Sequence, residues 1–168
     1  VATTAVSAHR VDLVLVRHAH AGSKGQWPGD DGRRPLSSEG RAQAARLAEA
    51  AASLQPSRIV TSPLLRCIET VQPLGERMHV RLEEEPALAP NAASEAASLV
   101  GGLLVRRSAC PPGQAPWVIC THGEILGVIL PAIAHDHPLP HRPPGAKGSV
   151  WLVDATGSMP ALRYIPRP

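Results

Sequence analysis

Val11-Asp12-Leu13-Val14-Leu15-Val16-Arg17-His18 is the stretch on which the fold turns. Its first six residues are aliphatic apart from Asp12, and Val11, Val14 and Val16 are β-branched. A run this short and this apolar suits a buried strand rather than a helix. It ends abruptly in Arg17-His18, two polar side chains at the mouth of a buried element. The same grammar returns twice. Arg58 to Thr61 runs into Ser62-Pro63, and Trp117 to Cys120 runs into Thr121-His122-Gly123. Helical segments lie between these strands. One is capped by Ser37 or Ser38 and continues through its alanines to about Leu54. A second opens at Ser62-Pro63, with Pro63 at the first helical position, and carries Leu65, Ile68, Val71 and Leu74 on one stripe. Others are expected over 93–107 and from Glu124 to about Ala134. His79 to Leu82 reads as a third strand. Ser149 to Asp154 and Ala161 to Ile165 read as a closing pair joined by a turn around Gly157. Strands alternating with helices imply an α/β fold, a three-layer α/β/α sandwich around a mostly parallel sheet.

Composition agrees with a globular α/β chain. The 168 residues are 43% hydrophobic, and with no Phe the core must be built from Leu, Val, Ile and Ala. Residues 1–10 are expected to form a flexible N-terminal segment and 11–168 a single domain. The net charge of +3 comes from scattered arginines, with Lys24 and Lys147 the only lysines. No basic stripe or base-reading motif argues for a nucleic-acid partner. No apolar run approaches the ~20 residues that span a bilayer. Cys67, Cys110 and Cys120 are odd in number and have no CxxC spacing, as expected of reduced thiols in a cytoplasmic protein.

Open parallel sheets place ligands beyond the carboxyl ends of their strands. Three junctions fall on that edge: Arg17-His18, Ser62 to Arg66, and His122-Gly123. Taken singly, an Arg-His pair is a surface pair, a Thr-His-Gly is a turn and Arg66 is a solvated helix residue. Together they predict two histidines and two arginines converging in space. A neutral imidazole is a competent nucleophile toward phosphorus. Guanidinium forks match phosphate oxygens, and phosphoryl transfer asks mainly for positioning and charge neutralisation. Arg66 lies on the first turns of its helix, whose N-terminus adds oriented N–H groups. Gly123 permits close backbone approach.

The runs Leu15 to Ala19, Leu36 to Ala44, Thr61 to Thr70 and Thr121 to Glu124 resemble, in order and spacing, the motifs of the histidine phosphatase superfamily, the phosphoglycerate-mutase-like group. The likeness covers residues 11 to about 165. It implies a phosphoglycerate-mutase-like fold, His18 as the phosphohistidine, Arg17, Arg66 and His122 on the phosphoryl oxygens, and no cofactor or metal. The signature Gly after the catalytic His is Ala19 here. Many members carry an acidic general acid after a Leu in the loop following the third strand. That loop reads Pro86-Ala87-Leu88-Ala89-Pro90-Asn91, with no carboxylate after Leu88. Leaving-group protonation is thereby unassigned, with Glu84, Glu85, Glu95 and Asp31 as candidates, and good leaving groups such as phosphohistidine or anhydrides are favoured. Asp31 to Leu36 is similar to the small phosphohistidine phosphatases. Arg17-His18-Ala19, Ala21 to Lys24, Trp27, Gly29-Asp30-Asp31, Arg34-Pro35-Leu36 and Lys147-Gly148-Ser149 with Trp151 resemble the histidine phosphatase domain of two-domain actinobacterial Nudix hydrolases. That likeness implies a Nudix partner domain. It also implies that Lys24, Arg34 and Lys147 extend the anion site toward a nucleotide's further phosphates; ordinary solubility explains these three equally well, and Ser62 and Gly123 are expected among the substrate-binding residues.

The resulting expectation is a metal-independent phosphatase acting on a small phosphorylated substrate, a nucleotide by preference. Two other readings stand beside it: a protein phosphohistidine phosphatase, and a non-catalytic phospho-ligand binding module. His18-Ala19-His20 also has the His-x-His form of metal-dependent barrels, but such a barrel needs ~250 residues. His20 fits a pocket rim or solvent better. His135-Asp136-His137 with His141 has metal-ligand chemistry in a Pro-rich setting without a rigid base. Trp27 either stacks on a base or pins its own loop, and pinning is the favoured reading.

Overall fold

The computed structural model describes residues 10–111, 113–135, 138–139, 145–156, 160–166 and 168. In it the opening apolar run becomes strand β1 (Leu13–Arg17). Alternate residues of a strand face opposite ways, and each side of β1 meets its own helical layer. Leu13 and Leu15 pack with Ile119, Trp151 and the apolar faces of α3 (Ala93–Ser108) and α4 (Gly123–Ala134). Val14 and Val16 pack with Ile59, Val118 and the faces of α1 (Ser38–Ala52) and α2 (Leu65–Met78). The three-layer α/β/α sandwich follows from that alternation.

The remaining strands are β2 (Arg58–Thr61), β3 (Leu82–Glu84), β4 (Trp117–Thr121), β5 (Val150–Asp154) and β6 (Ala161–Ile165). Their spatial order is β3-β2-β4-β1-β5-β6. β3, β2, β4 and β1 pair in parallel, and β5 is antiparallel to both β1 and β6. The sheet is thus mostly parallel, with β5 alone reversed.

Two boundaries differ from expectation. α2 begins at Leu65, so Pro63 precedes the helix instead of opening it. Ser62 is drawn away to His122, with its Oγ 2.8 Å from Nε2, and the chain turns helical only after that contact is made. The third strand starts at Leu82, three residues later than the apolar pattern suggests. His79 takes a left-handed conformation (φ 54°) that caps α2, and Val80 returns its N–H to Gly75. Glu83 and Glu84 are consequently in the strand. They are exposed on an edge, where charge discourages further pairing, and Glu83 pairs with Arg58. Ser37, not Ser38, caps α1, accepting the Gly40 N–H at 3.1 Å. Cys67, Cys110 and Cys120 are free thiols. No helix among the described residues is long and apolar enough to cross a membrane. The turn around Gly157, most of the 1–10 segment and the cluster of Asp136, His137 and His141 lie outside the described residues.

Candidate active site

The two histidines meet because their strands are parallel neighbours in register. Arg17 of β1 stands opposite Thr121 of β4, so the next residue on each strand, His18 and His122, emerges at the same level. The ladder continues one rung further, with the His18 N–H donating to the Thr121 carbonyl at 2.9 Å. The rings meet edge-on with centroids 5.2 Å apart. Ser62 leaves β2 in the same manner, its N–H bonded to the Cys120 carbonyl.

Hydrogen bonds assign the tautomers. His18 Nδ1–H donates to the Ala19 carbonyl at 2.8 Å, which leaves Nε2 with its lone pair. Burial pushes the His18 pKa down to about 3; the Ala19 hydrogen bond opposes this, and the charges of Arg66, Arg17 and Lys147 add to it. The imidazole is neutral at pH 7. Ser62 Oγ accepts the Leu64 N–H at 3.4 Å, so its own proton is available to His122 Nε2, and Nδ1 then carries the His122 proton. Burial, followed by the charges of His18, Arg66 and Arg17, holds His122 at about 3 against an upward pull from Asp31.

A cationic shell surrounds this pair. The Arg17 guanidinium donates to the Gly145 carbonyl and lies over the start of α4. A Cβ on Gly123 would stand 3.0 Å from its Cζ. Arg66 is buried and donates to the Asp31 carbonyl at 2.8 Å and the Asp31 carboxylate at 3.2 Å. Arg34 is buried too. It binds the same carboxylate at 2.8 Å and the Ala21 carbonyl at 2.6 Å, tying the 21–35 loop to itself. Burial alone would raise the Asp31 pKa, but the hydrogen bond from Arg34 and the charges of Arg66, Arg34 and Lys24 bring it below the ordinary carboxylate value. Burial and the charges of Arg17, Arg34 and Arg66 depress Lys147.

These side chains line one cleft of about 720 Å³. Of the residues singled out in the sequence, Arg17, His18, Lys24, Arg34, Arg66, His122 and Lys147 line it, as does His20. Ser62 and Gly123 do not; Ser62 backs His122 and Gly123 backs Arg17. Among the described residues, Asp31 and Glu124 are the carboxylates on its wall, whereas Glu84, Glu85 and Glu95 are not part of it. Glu85 instead caps the short turn Pro86–Leu88. Beyond Leu88, Pro90 reaches the cleft, so the loop after β3 presents no acid there. Among the described residues, no group of three or more His, Cys, Asp or Glu is gathered to hold a metal ion.

Several positioning residues were not singled out from sequence. The Thr70 hydroxyl accepts the Ala19 N–H at 3.0 Å and donates to the Arg66 carbonyl at 2.6 Å, coupling the backbone after His18 to the turn bearing Arg66. Gln43 accepts the His20 N–H, and Glu69 the Leu36 N–H. All three lie within the quoted motif runs, but these contacts join distant segments and have no local signal. Glu124 follows His122-Gly123 directly, and its approach to the cleft rests on the turn into α4.

Comparison with known proteins agrees with this geometry. The family model described as histidine phosphatase superfamily (branch 1) matches residues 13–93. An 8-oxo-(d)GTP phosphatase of Mycolicibacterium smegmatis is 27% identical over 158 residues, covering 93% of this chain and 48% of that protein. The chain therefore spans about half the length of this curated relative. Among solved structures, a mycobacterial glucosyl-3-phosphoglycerate phosphatase complexed with VO3 is similar with TM-score 0.70 and 20% identity, over 92% of this chain and 97% of that one. A protein histidine phosphatase complexed with tungstate matches with TM-score 0.70 and 17% identity, over 92% and 96%. At these identities the structures speak for the fold. Taken with the family-model match over residues 13–93 and the curated relative, they agree with the resemblance to the histidine phosphatase superfamily that the sequence motifs carry.

Proposed function

We propose that this protein is a phosphatase in which His18 Nε2 attacks phosphorus and becomes transiently phosphorylated. The observation that carries the reading is a neutral imidazole whose Nδ1 is committed to the Ala19 carbonyl, set inside a ring of Arg17, Arg66 and His122. Arg17 and Arg66 each keep a buried Nε–H without a partner among the described residues, and an oxyanion would supply the missing acceptors. His122 Nδ1–H would donate to a phosphoryl oxygen. Ser62 holds that tautomer, and Gly123 makes room for Arg17. The P–O bond to the leaving group breaks as the N–P bond forms. Water then attacks phospho-His18, releasing inorganic phosphate and restoring the free imidazole. No step uses a metal or a cofactor.

For the substrate, a phosphoanhydride of a nucleotide is the reading best supported. Among the described residues, five cationic side chains and two carboxylates line the cleft, a surplus of three positive charges where a phosphomonoester supplies only two negative ones. Asp31 is held ionised between Arg34 and Arg66 and is poorly suited to donate a proton. An anhydride, whose leaving phosphate is already a stable anion, has least need of an acid. The named activity of the curated relative belongs to the same substrate class; a Nudix partner domain would belong to this reading as well. Lys24, Arg34 and Lys147 would neutralise the phosphate beyond the one attacked.

The test is phosphate release from nucleoside di- and triphosphates, sugar phosphates, p-nitrophenyl phosphate and a phosphohistidine peptide, with His18→Ala as control. Release from nucleotides that is lost in His18→Ala is the expected result. Preference for the peptide would make this a protein phosphohistidine phosphatase. Full activity in His18→Ala would overturn the mechanism, and phosphate binding without turnover would leave a binding module.

A further inference from the structure

Beside the catalytic cleft lies a second, smaller pocket of about 230 Å³, with Ala21, Trp27, Pro35, Leu36 and Ser37 in its wall. Gly22, Ser23, Gln26 and Arg34 line both spaces, so the pocket is a shallow chamber that shares a wall with the cleft. The two differ in chemistry. The cleft is walled by cations, whereas the chamber offers an indole, a proline ring and aliphatic carbons. Trp27 is fixed there. Its Nε1–H donates to the Asp30 carbonyl at 2.9 Å, and Gly29 leaves space for the ring, since a Cβ at that position would stand 3.3 Å from Nε1. The pinning expected of Trp27 is thus present. It leaves the indole half-buried and held in one orientation on the chamber wall. An immobilised aromatic face loses little freedom when a second flat ring stacks on it.

We propose that this chamber is the subsite for the planar, aromatic part of the substrate, with Trp27 as its stacking platform and the phosphates extending past Arg34 toward His18. The inference deepens the nucleotide reading and rests on it. Arg34 stands between the two compartments. Its Nε and Nη1 donate to Asp31, Ala21 and Gly22, which holds the shared wall in place.

The experiment compares a nucleoside diphosphate with inorganic pyrophosphate, which has the same anhydride and no base. Trp27→Ala is expected to raise the KM for the nucleoside diphosphate about tenfold, the scale of one lost base–aromatic stack, with a far smaller rise for pyrophosphate. Trp27→Phe keeps a ring but loses the bond to Asp30, and should recover most of the nucleotide KM. An equal rise for both substrates would mean that the loop has collapsed, and would overturn the subsite. So would failure of Trp27→Phe to recover, since the pin rather than the ring would then be responsible. Wild-type nucleotide turnover that is unchanged in Trp27→Ala would remove the subsite and leave the nucleotide reading standing. Pyrophosphate turnover with no nucleotide turnover in the wild type would remove both.

Discussion

His18, the proposed nucleophile, shows how little room a side chain is left once its neighbours are placed. One ring nitrogen is held by the following carbonyl, the ring edge meets His122, and the backbone beyond is anchored on Thr70. Gly123 plays a comparable part for Arg17. A methyl group there would stand 3.0 Å from the guanidinium carbon and 3.0 Å from Nη2. The far end of an arginine can swing away at small cost to folding, but it then leaves the anion. Gly123→Ala should therefore weaken inhibition by inorganic phosphate about tenfold while Tm stays within a few degrees. A matching phosphate inhibition constant in variant and wild type would show that Arg17 is not positioned by this contact.

At the scale of elements, α1 works as a clamp on the chain leaving β1. Its cap Ser37 donates its N–H to the His20 carbonyl at 2.9 Å. One turn later Gly40 faces the same carbonyl, and a Cβ on Gly40 would overlap the His20 oxygen. Here the obstruction is backbone, which cannot rotate out of the way. Gly40→Ala should cost roughly 1–3 kcal/mol, the usual range for overpacking, measurable by urea denaturation. It should also lower activity, because His20 is two residues from His18. A variant as stable as wild type would mean that α1 docks less closely than the structure has it.

The whole molecule holds two neutral histidines in a cationic, buried site, and this sets how its stability responds to acid. Both titrate near 6.5 when unfolded and near 3 when folded. Between those values the unfolded chain binds more protons, so stability is full above about pH 6.5 and falls as the pH drops toward 3. Each histidine contributes at most about 1.4 kcal/mol per pH unit. Asp31, depressed by Arg34, titrates at the acid end and acts in the same direction there. Tm should thus decline from pH 6.5 to 4.5, above the carboxylate range. Sulfate, a dianion throughout, should flatten the decline by favouring protonated histidines in the folded site. A flat Tm across that window would contradict the buried neutral pair.

What the sequence determined by itself was local and chemical. Aliphatic runs of strand length, Ala-rich helical stretches and polar junctions after strands are written in neighbouring residues, and from them came the sandwich and the residues Arg17, His18, Arg66 and His122. It misplaced the boundaries where a distant contact intervened, as with Ser62 reaching His122 and the left-handed cap at His79. The order β3-β2-β4-β1-β5-β6 could be decided only in three dimensions. A strand's neighbour is chosen by which helical layers can cover both faces at once, and the alternating code of an aliphatic strand satisfies many neighbours. That choice set β1 beside β4 and so His18 beside His122. Tertiary structure likewise gave Asp31 to Arg34 and Arg66, drew Thr70 to Ala19, and left Trp27 on the wall of a pocket next to the cleft, because each joins segments whose separation in the chain carries no record of their approach in space.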